Sequence, residues 1–189
     1  MPSSWSRRLS QELKNLVRND PAGGEKILPR VAFMGVGNEF KADDFVGPAI
    51  ARRLARSFGK DERIIILDAG PAPENFTGTL RSFMPHLVVL IDALEMEAQP
   101  GDVAWVEWDA LDGISAFTHA PAPAMLGNFI RDEIHARIAL IGIQPGRLEF
   151  DSQPTTAVRR SAGRVAAGIR KTLQSTGYEV NPRRNSTLG

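Results

Sequence analysis

Two aspartates stand side by side, Asp43 and Asp44, inside the stretch G-V-G-N-E-F-K-A-D-D-F-V-G-P that runs from Gly35 to Pro48. A third, Asp92, closes the apolar run L-V-V-L-I-D, and a histidine, His119, precedes a helix-like segment starting near Pro123. Asp44 at the start of a helix, Asp92 at the end of a strand and His119 in a loop would offer two carboxylates and an imidazole. Such a mixed oxygen and nitrogen set suits a borderline divalent ion such as Ni²⁺ or Zn²⁺. Three protein ligands leave coordination positions open for water or a substrate group, as in a catalytic rather than a structural site.

Each residue also has a plainer reading. Asp43 or Asp44 could cap the helix that follows, Asp92 could turn the chain after its strand, and His119 could be an ordinary loop histidine. His86 and His135 are weaker candidates: His86 opens a strand, at the end away from the expected site, and His135 follows the last turn of a helix, where its charge suits the dipole. The glycines of the first stretch suggest instead a dinucleotide cradle, with Asp68 as the ribose-binding acid. That fingerprint needs a third glycine where this chain has Phe40, and Asp43 and Asp44 would repel a pyrophosphate.

The elements that must position these residues alternate along the chain. Ser4 to Arg18 carries Trp5, Leu9, Leu13, Leu16 and Val17 at helical spacing and ends at D-P-A-G-G. V-A-F-M-G-V from Val31, R-I-I-I-L-D ending at Asp68, L-V-V-L-I-D ending at Asp92 and R-I-A-L-I-G from Arg137 read as strands covered on both faces. V-A-W-V-E-W from Val103 reads as an edge strand. Helices are expected over Phe45 to Phe58, with Val46, Ile50, Leu54 and Phe58 on one stripe, over Glu74 to Phe83, over Pro123 to Ile134, and over Thr155 to Leu173. The order predicts one α/β domain, a twisted, mostly parallel sheet with helices on both faces. Residues 30–174 would form it, residues 1–22 an appended N-terminal helix and linker, and residues 175–189 a mobile tail. In an open α/β sheet ligands bind outside the carboxyl ends of the strands. G-V-G-N…D-D, Asp68-Ala-Gly, Asp92 and G-I-Q-P all fall there, and that convergence favours a site over four unrelated turns.

The bulk composition narrows the classes. At 189 residues with 42% hydrophobic and 24% charged content, the chain is long enough for a single substantial core. A formal charge of +1 gives no electrostatic case for nucleic acid, and no apolar run is long enough to span a bilayer. No signal-peptide core follows the N-terminal arginines, so a cytoplasmic protein is expected. There is no cysteine, hence no disulfide, cysteine nucleophile or thiolate metal site. The chain contains neither H-E-x-x-H nor a G-x-S-x-G elbow.

In this order, G-V-G-N-x₄-D-D-x-x-G-P, L-D-A-G-x-A-P-E-N, L-I-D-A, T-H and G-I-Q-P resemble the [NiFe]-hydrogenase maturation endopeptidases, most closely the hydrogenase-3 (formate-hydrogenlyase-type) branch, from about Val31 to Leu173. The resemblance implies a phosphorylase/hydrolase-like α/β fold. It also implies aspartic-type endopeptidase activity that removes the C-terminal extension of a hydrogenase large-subunit precursor after nickel insertion. By position it makes Asp44, Asp92 and His119 both the catalytic residues and the metal ligands. Nickel would arrive with the precursor and bind the free protein only weakly; no nucleotide, nucleic acid or membrane is implied, and a monomer is expected. The rival readings are a Rossmann-like nucleotide- or small-molecule-binding enzyme and a non-catalytic hydrogenase assembly factor. One departure stands out: many relatives have glycine after the acidic pair, where this chain has Phe45. That residue is expected to be tolerated, either shaping the rim of the substrate cleft or packing into the core.

Overall fold

The structure is a computed structural model, and it describes residues 3–19, 26–58, 61–111 and 122–179. Among the described residues, five α-helices, α1 (Ser4–Leu16), α2 (Val46–Ser57), α3 (Thr77–Phe83), α4 (Ala122–Phe129) and α5 (Thr156–Ser175), accompany seven strands. These are β1 (Arg18–Asn19), β2 (Lys26–Ile27), β3 (Val31–Val36), β4 (Ile64–Gly70), β5 (Leu87–Ala93), β6 (Val103–Glu107) and β7 (Arg137–Ile143). The central sheet has the order β4-β3-β5-β7-β6; its first three pairings are parallel and the last, β7 with the edge strand β6, is antiparallel. The short antiparallel β1–β2 ladder is an element that the apolar pattern did not announce.

The continuous apolar runs are explained by burial on both faces. Along β3, Val31 and Phe33 join one core with Trp5, Leu9 and Leu13 of α1, the Val46–Ile50–Leu54 stripe of α2 and Val158, Val165, Ile169 and Leu173 of α5. The alternate residues Ala32, Met34 and Val36 join a second core with Leu80 of α3 and Leu126 of α4. Period-two alternation is therefore present in the packing although both sets are apolar. The N-terminal helix is part of the first core, and so is Tyr178 beyond α5, whose hydroxyl donates to the Pro29 carbonyl oxygen at 2.7 Å. Residues 180–189 lie outside the described residues.

Two expected helices begin or end differently. Before α2, Ala42–Phe45 form a 3₁₀ turn, so the acidic pair sits in a tighter coil than the helix proper. Within that turn the left-handed residue is Ala42, at φ 32°, while Phe45 has φ −63° and ψ −14°. Phe45 is thus unstrained, and it packs partly buried against the first core. After α4, Ile130–Ile134 widen into a π turn that ends on His135 in left-handed conformation.

Candidate active site

The chain leaves β3, crosses to β4 through α2, then returns through α3 on the other face to β5, on the far side of β3. The onward connections of β3 and β5 so diverge, which opens a crevice at their carboxyl ends, the switch point where α/β sheets bind ligands.

The 3₁₀ turn and the first turn of α2 lie over this crevice, and glycine lets them do so. A Cβ on Gly47 would come 2.1 Å from the Val36 carbonyl oxygen and 2.3 Å from that of Ile91, one on each strand. Gly37, at φ 133°, would place a Cβ 2.0 Å from the Asp44 carbonyl oxygen. Its N–H donates to the Gly70 carbonyl at 3.0 Å. These glycines admit other parts of the same chain, so the space that a dinucleotide phosphate would need is taken by the Asp44 backbone.

Asp44 and Asp92 meet at this crevice. Asp44, partly buried, accepts the Asn38 N–H on Oδ2 at 2.9 Å. Asp92, also partly buried, accepts the Ala93 N–H on Oδ1 at 2.7 Å. Burial first, and then the negative charge of Asp44, push the Asp92 carboxyl well above the usual carboxylate range, against the smaller opposing effect of the Ala93 hydrogen bond. Two carboxylates that disfavour each other's ionisation form a donor pair whose repulsion a divalent cation would relieve. His119, the third expected member, lies outside the described residues, and among the described residues no group of three His, Asp or Glu side chains could hold a metal ion.

Asp43 does something else. It is fully buried, and its carboxylate accepts the N–H groups of Gly146 at 2.8 Å, Arg147 at 3.2 Å and Thr155 at 2.6 Å, together with the Thr155 hydroxyl at 3.0 Å. The side chain ties the acidic turn to the loop after β7 and to the N-cap of α5. It caps no helix of its own.

The other strand-end motifs also hold the frame. Gln144, in G-I-Q-P, is buried; its Oε1 accepts the Met96 and Ala98 N–H groups at 2.7 and 3.3 Å, and its Nε2 donates to Glu95 Oε1 at 2.7 Å and the Pro145 carbonyl at 3.0 Å. Asp68 is exposed and pairs with Arg52 at 3.2 Å, and Arg52 also binds Glu39. The ribose-binding role considered for Asp68 is therefore replaced by an ion-pair chain joining the loop after β3, α2 and β4. His86 stands at the opposite end of the sheet, where its Nδ1 accepts the Arg30 N–H at 3.0 Å, and His135 lies at that end too. The clamps formed by Asp43 and Gln144 escaped the sequence reading, although both residues lay in motifs it had singled out.

Comparison with known proteins places the chain in a family context. The HycI hydrogenase maturation protease family model matches residues 48–171, a span that contains Asp92 and His119 and begins just after Asp44. A putative hydrogenase maturation protease of Methanocaldococcus jannaschii is 31% identical over 131 residues, 66% of this chain and 78% of that one. The hydrogenase 3 maturation protease of Escherichia coli K12 is 27% identical over 118 residues, 61% of this chain and 72% of that one. Among solved structures, the crystal structure of a [NiFe] hydrogenase maturation protease HycI from Thermococcus kodakarensis superposes with a TM-score of 0.71 at 29% identity, covering 77% of this chain and 93% of that one.

Proposed function

This chain belongs to the hydrogenase maturation protease family and is an endopeptidase, and we propose that it removes the C-terminal extension of a [NiFe]-hydrogenase large-subunit precursor once nickel has been inserted. On this reading Asp44, Asp92 and His119 bind nickel that the precursor carries into the crevice, so that only a loaded precursor is cut. The activity is of the aspartic type in the sense that two aspartates hold the reacting centre, and the compartment is the cytoplasm.

The observation that supports this reading is geometric: the close approach of Gly47 to the Val36 and Ile91 carbonyls seats the acidic turn over the switch-point crevice, where the Asp44 charge adds to burial in pushing the Asp92 carboxyl up. A partly buried carboxyl pair of this kind favours a positive partner. The Asn38 N–H fixes the Asp44 carboxylate, and the Ala93 N–H fixes that of Asp92, so both enter the reaction already oriented. A cation held there would favour the ionised form of Asp92 against the effect of burial. Nickel supplied by the substrate brings Lewis-acid chemistry next to the scissile peptide. The chain contributes the ligands and the backbone hydrogen bonds that orient Asp44 and Asp92.

The test uses purified large-subunit precursor in nickel-loaded and nickel-free forms, with loss of the extension read by intact mass. Cleavage of the loaded form alone is expected, without metal added to the protease. Equal cleavage of the nickel-free form would remove the sensing role of the three ligands. Binding of the loaded precursor without cleavage would leave the chain an assembly factor.

A further inference from the structure

The loops around the Asp44–Asp92 crevice carry two exposed aromatic rings. Phe40, in the loop after β3, is 72% exposed, and Phe150, in the loop after β7, is 61% exposed. Both loops leave the carboxyl edge of the sheet, the edge that holds the site. Single exposed apolar residues are ordinary on a protein surface, but two exposed rings on loops joined to each other at the edge that holds the site suit a ligand-binding rim.

These rings are displayed on fixed backbone. The Phe40 N–H donates to Asn38 Oδ1 at 3.0 Å, and the Phe40 carbonyl accepts the Asp151 N–H at 2.9 Å, so both of its backbone polar groups are engaged. Lys41 and Phe150 pair as an antiparallel bridge, with the Lys41 ammonium 4.9 Å from the Phe150 ring centre. The Asn38 residue that holds Phe40 also donates its own N–H to the Asp44 carboxylate. On the other loop, the Asp43 carboxylate grips Gly146, Arg147 and Thr155, on either side of Phe150. The backbone that carries both rings is therefore tied to the acidic turn by short chains of hydrogen bonds.

We propose that Phe40 and Phe150 are specificity residues that receive an apolar side chain of the precursor's extended segment next to the scissile bond. The inference rests on the protease reading above and names what the rim of that same site grips. The occupant follows from continuity. A peptide cut at the crevice must leave it as extended chain rising ~3.3 Å per residue, and within a few residues of the cut it reaches the loops of Phe40 and Phe150, whose backbone is tied to the acidic turn. Apolar rings that stay in water in the free enzyme become covered only when the substrate lies against them, so their contribution appears as binding.

The experiment compares wild type with Phe40→Ser, Phe150→Ser and the double variant, using the nickel-loaded precursor and intact-mass rates over a range of concentrations. The double variant should show KM raised by roughly tenfold or more with kcat within about twofold, and Phe40→Leu should recover most of the loss. Melting temperatures should not move, because neither ring is buried. Binding of uncut precursor to Asp44→Asn protein, with and without the two serine changes, gives a readout separate from cleavage. Normal KM in the double variant overturns the proposal, and so does a loss confined to kcat. A concentration-dependent dimer that the double variant abolishes, with KM unchanged, would assign the rings to a second copy of the chain and also overturn it. Absent cleavage by wild type alongside ring-dependent binding would strike the protease reading and leave of this one only the apolar contact with the precursor; absence of both strikes the two together.

Discussion

The Asp43 carboxylate is bonded to Thr155 through both oxygens, 2.6 Å from the backbone nitrogen and 3.0 Å from the hydroxyl, across 112 positions of chain. That link separates two adjacent aspartates into different roles. Asp43 holds the acidic turn against the start of α5, and Asp44 is left to face the crevice.

Asp43→Asn should therefore destabilise the protein. The asparagine amide would present N–H groups to backbone N–H donors that now meet a carboxylate, leaving buried donors unsatisfied. A cost of at least ~2–3 kcal/mol is expected, since hydrogen bonds to charged groups contribute about 1.5–3 kcal/mol each. Urea unfolding monitored by circular dichroism reads it. A change below ~0.5 kcal/mol would mean that the clamp is not formed.

Asp44→Asn should do the reverse. Processing of the nickel-loaded precursor should be abolished while stability changes by only ~0.5 kcal/mol, the usual effect of a partly exposed polar substitution. His119→Ala is expected to behave in the same way. An intact-mass assay and a melting curve on each variant test this, and activity lost together with a collapsed melting transition would make Asp44 structural.

The contrast shows what the sequence could reveal. Strands β3, β5 and β7 were legible because five or six consecutive apolar residues, glycine included, have few other uses, and α2 and α5 because Val46–Ile50–Leu54 and Val158–Val165–Ile169 fall on single stripes. That the Asp44 charge reaches Asp92 was legible from topology, because both lie at the carboxyl edge of neighbouring parallel strands. The role of Asp43 was not, since its partners Gly146, Arg147 and Thr155 carry no pattern that points back across the chain. Gln144 escaped for the same reason, as three of its four bonds go to backbone groups. Ala42 is a further case: nothing in A-D-D announces that the alanine, rather than a neighbouring glycine, takes positive φ.

Gly47→Ala should damage the site through backbone alone. An added methyl would sit 2.1 Å from the Val36 carbonyl oxygen and 2.3 Å from that of Ile91, so the acidic turn must lift off the ends of β3 and β5. Overpacking of this kind costs about 1–3 kcal/mol and displaces Asp44 from Asp92. Processing should fall by far more than stability, because ligand spacing is lost before the fold is. Wild-type processing by this variant would show that the close approach is unnecessary.

Asp92→Asn should raise the stability of the free protein at neutral and alkaline pH while abolishing processing. The folded state pushes the Asp92 carboxyl well above its unfolded value of about 3.9. Between those two pKa values the folded protein binds the extra proton, so stability falls as pH rises through the window, and above the folded pKa the full penalty is present. Asparagine carries no charge at any pH and can still accept the Ala93 N–H on Oδ1, so it escapes the penalty. Melting temperatures of wild type and variant should coincide near pH 4 and separate as pH rises. At pH 8 the variant should be higher by at least ~2–4 °C, the shift that about 1 kcal/mol produces in a chain of this size. Asp44→Asn should narrow the window without closing it, because burial, which that substitution leaves in place, is the larger cause. A separation independent of pH, or a wild type that melts higher at pH 8, would show that Asp92 is not held against its ionisation.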